Sequence, residues 1–399
     1  MKTMKWLTTR YSVIQIAYWG AYCALSGYAS VFLTGKGFTA GQTGALMALG
    51  NMVAALLQPM AAAAADRERK LTLKGLMLSI GGISAAALLA LVITKKQFWA
   101  VCLAFAASTV SLQVLQPLLN ALGMRYVNRG ASINFGLARG LGSVGYASTS
   151  YLIGVLSVRL GENVIPAMAF LLCIPFLFVT LSFHANKSKE TFDSCLLKKD
   201  TADRHLANTG NLFSFLRSHG SFAVLLLGIV CMFTFHYMTN TYLFQMIQAV
   251  GGNSQNMGTA VSLAALTEIP AMALFSRLVK KIPEERLLRI AGVMWVVRSV
   301  LFCLCASVTG IYLVQLMQMV TYGLYIPASV YYADQVMDED HKVQGQALVT
   351  VAFTLGSVFG NFLGGVLIDQ FRVPVMLMTG VFFTLAGGIC FFVGTRQTA

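Results

Sequence analysis

Three ionisable side chains sit where ionisable side chains are rare. Glu268 lies in VSLAALTEIPAMALF, residues 261–275, which is apolar apart from Ser262, Thr267 and Glu268 itself. Arg139 lies in GLARGLGSVGY and Arg298 in GVMWVVRSVLFC. Of the 15 acidic residues, Glu268 alone is deep inside an apolar run. A carboxylate at bilayer depth costs roughly 2.5–3.5 kcal/mol on insertion scales, so it persists by facing a partner or a wet cavity. That makes Glu268 a functional candidate, with a structural ion pair to one of the arginines as the alternative. Arg139 and Tyr146 are seven residues apart and share one helix face. A guanidinium fork beside an aromatic plane offers several donors next to an apolar platform, which suits a polyhydroxylated ring. The alternative for Arg139 is a bond that only locks helices together.

Two polar stripes cross otherwise apolar runs. Gln315, Gln318, Tyr322 and Tyr325 follow at spacings of 3, 4 and 3, and Gln113, Gln116 and Asn120 at 3 and 4. Such stripes fit either the walls of a polar cavity or hydrogen-bonding glue between helices, and the spacing does not choose. His236 and Asn240 are four apart; this histidine suits a proton carrier or a packed polar group. Tyr18 and Tyr22 are further candidates for the same cavity wall.

The elements that must position these groups are membrane helices. The chain has 399 residues, 57% hydrophobic and only 11% charged, against about 25% charged in soluble domains. Its apolar runs are continuous over about 20 residues and do not alternate, which predicts helices and excludes a barrel. Twelve spans are expected, at about 11–34, 41–65, 73–94, 98–122, 134–157, 163–183, 219–247, 255–279, 287–308, 310–333, 343–368 and 374–394. The cysteines fall mostly inside these runs without paired spacing, so no disulfide framework and no metal site is expected.

The net charge of +14 is distributed as a topology signal. Of the 29 Lys and Arg, 22 fall at one set of alternating loops and ends and 5 at the other, the remaining two being Arg139 and Arg298. The positive-inside rule therefore places both termini and the long polar segment on the cytoplasmic side of a cell membrane, and argues against a nucleic-acid patch. That segment, with SKETFD and KKDTADRH, divides the chain into a bundle at 1–184, a cytoplasmic linker at 185–217 and a second bundle at 218–399. The halves repeat: Pro59 and Pro270, Pro117 and Pro327, GxA at 136 and at 345, and LGSV at 141 and at 355 recur at offsets of 211, 210, 209 and 214. Duplicated six-helix halves are the plan of many secondary transporters. GSVFGNFLGG at 356–365 reads as close helix packing and not as a nucleotide loop, because no strand precedes it. With no Walker motif, the chain has no direct ATP drive of its own.

The motifs resemble the major facilitator superfamily, and within it the oligosaccharide/proton symporter, lactose permease-like branch. QPMAAAAADRERK at 58–70 resembles the signature loop between helices 2 and 3, shorter by about two residues and without its usual glycines. NFGLARGLGSVGYA at 134–147 is similar to helix 5 of the branch, and TEIPA at 267–271 and VVRSV at 296–300 to helices 8 and 9. The resemblance implies that Arg139 contacts sugar hydroxyls and that Tyr146 stacks on the sugar ring. It implies that Glu268 binds substrate and that Arg298 takes part in proton coupling. The chain departs from the pattern in having Asn120 where helix 4 has a glutamate, and Gln318 and Thr321 where helix 10 has its His and Glu. It also lacks the Asp and Lys pair of helices 7 and 11, with His236 near the former.

These readings converge on an all-α integral membrane protein of two pseudo-symmetric six-helix bundles, moving a small molecule by alternating access. The expected cargo is a sugar, oligosaccharide or glycoside, with Arg139, Tyr146, Glu268, Asn120, Gln318 and Tyr322 as its contacts. Protons are the expected co-substrate, coupled through Glu268, Arg298 and His236, with the proton gradient in place of any cofactor. Efflux of amphipathic molecules and a transport-inactive sensor are the alternatives; binding without flux in vesicles would select the sensor. Arg139→Lys keeps the charge but loses the planar fork. Loss of one charge-assisted hydrogen bond costs about 1.5–3 kcal/mol, so this change is expected to weaken substrate binding roughly ten- to a hundredfold. Unchanged affinity in a direct binding assay would show that Arg139 only holds helices.

Overall fold

The computed structural model describes residues 2–67, 72–94, 97–128, 133–183, 217–337 and 341–395, and every regular element among them is a helix. Nine of these helices are long and apolar enough to cross a bilayer, and the bent pair Trp6–Gly27 and Ala29–Gly35 makes a tenth span. The 53-residue helix Lys342–Gly394 breaks at Arg372, whose φ of 66° is positive, and so counts as two. The broken run of Val308–Gln315, Leu316–Met319 and Tyr322–Val336 makes the last. The twelve expected spans are present and form two bundles.

In chain order, span 1 is Lys2–Tyr22 continued through a π turn at Cys23–Gly27 into Ala29–Gly35. Spans 2 to 6 are Ala40–Arg67, Leu73–Ile93, Phe98–Asn128, Phe135–Leu160 and Val164–Ser182. Span 7 is Gly220–Thr241 with Leu243–Ala249, span 8 is Ser254–Leu278 and span 9 is Glu284–Leu304. Span 10 is the broken run, and spans 11 and 12 lie either side of Arg372. The linker expected at 185–217, Arg217 excepted, lies outside the described residues, as do residues 68–70 of the signature loop.

Capping explains several starts. Asn253 accepts from the backbone N–H groups of Gln255 and Asn256, and the Asn256 side chain accepts from its N–H in return, a reciprocal capping box. Asn134 accepts from the Leu137 N–H and Ser307 from the Gly310 N–H. Prolines 59, 117, 175, 270 and 327 all lie inside helices, which membrane helices tolerate because neighbouring groups re-satisfy the freed backbone.

The duplication extends to backbone geometry. Span 1 breaks at Tyr28 (φ −108°, ψ 17°) and span 7 at Tyr242 (φ −104°, ψ 19°), 214 residues later. Both tyrosines are fully buried. The Tyr28 hydroxyl donates to the Ser150 carbonyl at 2.6 Å, and the Tyr242 hydroxyl to the Asn361 carbonyl at 2.6 Å. Each marks a crossing between the halves where glycine permits close backbone approach. A Cβ added at Gly258 of span 8 would lie 2.7 Å from the Ser150 carbonyl oxygen of span 5 and 2.7 Å from the Tyr28 hydroxyl. One added at Gly365 of span 11 would lie 2.3 Å from the Ala40 carbonyl oxygen of span 2 and 2.5 Å from the Tyr242 hydroxyl. The glycine-rich stretch 356–365 is thus a packing face, as its spacing implied.

Hydrogen bonds join the halves near these crossings. Ser157 donates to Ser254 at 2.8 Å, Ser262 to the Ala147 carbonyl at 2.7 Å, and Ser30 to Gln245 at 2.6 Å. The Asp369 carboxylate accepts from both the Ala40 and Gly41 N–H groups, at 2.9 and 2.8 Å. It therefore sits on the N-terminus of span 2, where free N–H groups and the helix dipole favour an anion. These contacts concentrate at the end of the bundles that carries residues 36–41, 161, 245–254 and 369.

The crossings carry a prediction. Gly258→Val puts side-chain atoms into backbone that cannot yield, and overpacking of this kind costs about 1–3 kcal/mol. The variant is expected to populate a state in which this end opens, read as a longer spin-label distance between positions 42 and 371. An unchanged distance distribution would show that the crossing is not needed for the joined state.

Candidate functional site

The residues singled out in the sequence form two clusters, one on each half. On the second half the centre is Arg298, only 1% exposed. Its Nη1 donates to Gln318 Oε1 and to Thr321 Oγ1, the latter at 3.1 Å, and its Nη2 donates to Gln315 Oε1 at 2.6 Å. All three partners come from span 10, from the stretch where its helix narrows to a 3₁₀ turn at Leu316–Met319 and breaks at Thr321 (φ −100°, ψ −95°). The polar stripe of span 10 is the acceptor set that keeps a guanidinium satisfied at membrane depth. It also reaches the carboxylate: Gln318 Nε2 donates to Glu268 Oε1 at 2.8 Å. Gly323 lets span 8 come this close, since a Cβ there would lie 3.1 Å from Ala271 Cβ and 3.4 Å from Glu268 Cα.

Glu268 and Arg298 therefore do not touch. A neutral amide stands between them, accepting from the guanidinium and donating to the carboxylate. Glu268 lies 14 residues along span 8 from Ser254, about 21 Å at ~1.5 Å per residue, and is half-buried, so one face of the carboxylate stays open.

On the first half, Arg139 starts only one turn inside span 5, nearer the helix end than a central position. Its guanidinium reaches over the Trp19 ring, with Cζ 4.2 Å from the ring centroid, and Nη1 donates to Ser143 at 3.3 Å. Trp19 is fixed beneath it. Its Nε1 donates to Gln15 Oε1 at 3.0 Å, and Gln15 Nε2 donates to the Tyr11 hydroxyl at 2.9 Å. The tryptophan edge is received by Gly142, where a Cβ would lie 2.6 Å from Trp19 Cδ1. Arg139 and Trp19 are both half-buried, and cation–π contacts range from about 0.5–1 kcal/mol when exposed to about 2 kcal/mol when desolvated. Arg139 is thus placed over an aromatic support, within electrostatic reach of Glu268 and Tyr322 on the other half.

The remaining candidates are placed as follows. Tyr146 is half-buried, its hydroxyl directed at the π turn of span 1, 3.2 Å from where a Cβ on Gly27 would stand. Tyr322 is half-buried and stacks on His236, with centroids 4.8 Å apart and planes 5° from parallel. His236 is 6% exposed; its Nε2 bonds Asn240 at 2.8 Å, and its Nδ1 has no partner among the described residues. Tyr22 is half-buried, whereas Tyr18 is buried with its hydroxyl on the Leu112 carbonyl at 2.8 Å, a structural bond. Asn120 forms no hydrogen bond with either cluster. Gln113 is glue, not cavity wall: its Nε2 donates to Asn51 at 2.9 Å, and Asn51 donates to Ser357 on the other half at 3.0 Å.

Sequence reasoning missed Trp19 as the support of Arg139 and Thr321 and Gln315 as anchors of Arg298. A signal for the first was present in the glycines of GLGSVG, the side of span 5 that accepts span 1. The anchors stand one turn either side of Gln318, but nothing along the chain pairs them with span 9.

Comparison with known proteins agrees with this architecture. The chain is 26% identical over 375 residues to a maltose permease of Geobacillus stearothermophilus, covering 92% of this chain and 89% of that protein. It is 24% identical over 365 residues to the uncharacterized transporter YwbF of Bacillus subtilis (strain 168), covering 90% and 86%. Among solved structures, the nucleoside transporter NupG superposes with a TM-score of 0.76 at 14% identity, covering 100% of this chain and 100% of that one. A bacterial homologue of the lysosomal transporter Spinster, in an inward-facing and unoccupied conformation, gives 0.70 at 13% identity, over 99% and 97%. At such identities the likeness is one of fold. Residues 8–377 match the MFS_1 like family. The chain belongs to that family, and so to the major facilitator superfamily of transporters that its motifs resemble.

Proposed function

We propose that this transporter takes up a sugar, oligosaccharide or glycoside together with protons, by alternating access around the two facing clusters. The observation that carries the reading is a half-buried carboxylate, Glu268, within electrostatic reach of a guanidinium, Arg139, placed over Trp19 on the other half. A ring bearing several hydroxyls needs donors, an acceptor and an apolar face in one place, and Arg139 and Glu268 supply the first two. Tyr22, Tyr146 and Tyr322 add half-buried aromatic surface around them. The maltose permease relative supports a sugar as cargo.

In this reading the basic loops put the end where the halves are joined on the outer side. Alternating access then requires the glycine crossings of spans 5 with 8 and 2 with 11 to part while the opposite end closes.

Proton coupling is assigned to Glu268, because it is the one carboxylate deep in an apolar run and it is bound to a neutral amide. A carboxylate that loses its charge gives up a charge-assisted bond, roughly twice as strong as a neutral one. The state of the site therefore changes with its proton. Arg298, linked to it through Gln318, and His236, stacked on Tyr322, are the groups that would respond.

Glu268→Gln tests this. Glutamine still bonds hydroxyls, so exchange of labelled sugar across proteoliposomes is expected to persist, while uphill accumulation driven by an imposed proton gradient is expected to vanish. Accumulation at the wild-type level in Glu268→Gln would move the proton elsewhere, first to His236. A wild type that never accumulates sugar under a proton gradient would make the protein a uniporter or couple it to another ion.

A further inference from the structure

Among the described residues Gln318 alone links the two buried charges of the second half, and it is not titratable. On one side it receives the Arg298 Nη1 proton, and on the other it gives a hydrogen bond to Glu268 Oε1 at 2.8 Å. The order of donors and acceptors runs one way, from guanidinium through amide to carboxylate. In such a chain each bond polarises the next, and an ionised end strengthens the whole in a medium of low dielectric. The other partners of Arg298 among the described residues, Gln315 and Thr321, are neutral, and its Nε is buried without an acceptor there.

The partners of Arg298 are also the residues at which span 10 loses its α-helical geometry. Gln315 ends one helix, Gln318 lies in the 3₁₀ turn and Thr321 is the break before Tyr322. The guanidinium thus pins the broken stretch of span 10. Tyr322, the first residue of the resumed helix, carries His236 stacked on its ring.

We propose that Gln318 is a positioning residue that carries the charge state of Glu268 to Arg298 and to the break in span 10. This rests on the assignment of the proton to Glu268. When Glu268 is ionised, the amide is held at both ends and Arg298 shares its charge with the carboxylate through it. When Glu268 takes up a proton, the Gln318–Glu268 bond becomes a neutral one. The amide is then free to turn, and Arg298 is left with neutral acceptors only. The pin on residues 315–321 loosens, and with it the position of Tyr322 beside the cargo. The groups facing Glu268 are Gln318 and Tyr322 of span 10, Arg298 of span 9, and Arg139 and Tyr146 of span 5, with His236 of span 7 behind Tyr322. Of these, Gln318 alone touches both charges, so removing it cuts the relay and leaves each charge in place.

The test uses Trp295, fully buried and one turn from Arg298 in span 9. In the full-length protein with Trp6, Trp19 and Trp99 changed to Phe, the emission of Trp295 is followed against pH in nanodiscs. The reference protein is expected to show a transition, and Glu268→Gln to abolish it. Gln318→Met, which fills the same volume without donor or acceptor, is expected to abolish it as well. If Gln318→Met does not reach the membrane, Gln318→Asn replaces it, since its amide is one methylene too short to span both ions. A transition that survives in the Gln318 variants but not in Glu268→Gln overturns the relay and leaves the proton on Glu268. A transition that survives in Glu268→Gln overturns both. A flat titration of the reference protein also overturns the relay, because the surroundings of Arg298 must respond if it exists.

Discussion

A guanidinium that is 1% exposed at membrane depth must be satisfied by whatever lies within reach. For Arg298 that is span 10, which gives up regular helix to supply Gln315, Gln318 and Thr321. The interior of the second half follows from this demand. The 3₁₀ turn and the break at Thr321 fall in the same stretch that supplies these acceptors. The break also sets where the helix resumes, and hence where Tyr322 and its stacked partner His236 stand. Glu268 is tied to the same network by one amide, so the one carboxylate deep in an apolar run is coupled to the geometry of a helix that it does not belong to.

The two halves are the same plan with different contents. The breaks at Tyr28 and Tyr242 have nearly equal dihedrals, and each tyrosine stands at a glycine crossing between the halves. Yet the first half places its arginine differently, half-buried instead of fully buried. Arg139 has an aromatic support, Trp19, and one hydroxyl acceptor, Ser143, in place of three amide and hydroxyl acceptors. A guanidinium stacked on a ring keeps its N–H edges available, whereas one held by three acceptors has spent most of them. The halves thus share a backbone plan but differ in how each holds its arginine: one lies over a ring and the other is bound by three acceptors.

Glycine and serine do at the crossings what leucine does elsewhere. Within lipid there is no hydrophobic gain from pressing helices together, so close approach depends on small side chains and a few hydrogen bonds. Ser157 with Ser254, Ser262 with the Ala147 carbonyl, and Asp369 on the first N–H groups of span 2 are contacts of that kind. Each is a contact between small side chains or a single hydrogen bond, with no large apolar surface behind it.

The architecture was legible along the chain because a bilayer leaves so few options. Continuous apolar runs of span length, alternating basic loops and a repeat at about 211 residues predict twelve helices in two bundles, and the resemblance of a few motifs places them in a superfamily. Glu268, Arg139 and Arg298 stood out for the same reason, as charges where charge is costly. What the sequence could not assign was partnership. A polar stripe reads alike whether it lines a cavity or satisfies a neighbour. Only packing decided that Gln315 and Gln318 serve Arg298, that Gln113 joins span 4 to Asn51, that Asn120 joins neither cluster, and that Trp19 supports Arg139. Burial is a property each residue carries in its own type, so it can be read locally. A hydrogen bond between spans 9 and 10, or between 8 and 10, depends on how helices far apart in sequence are rotated against each other, and that is set by all their contacts at once.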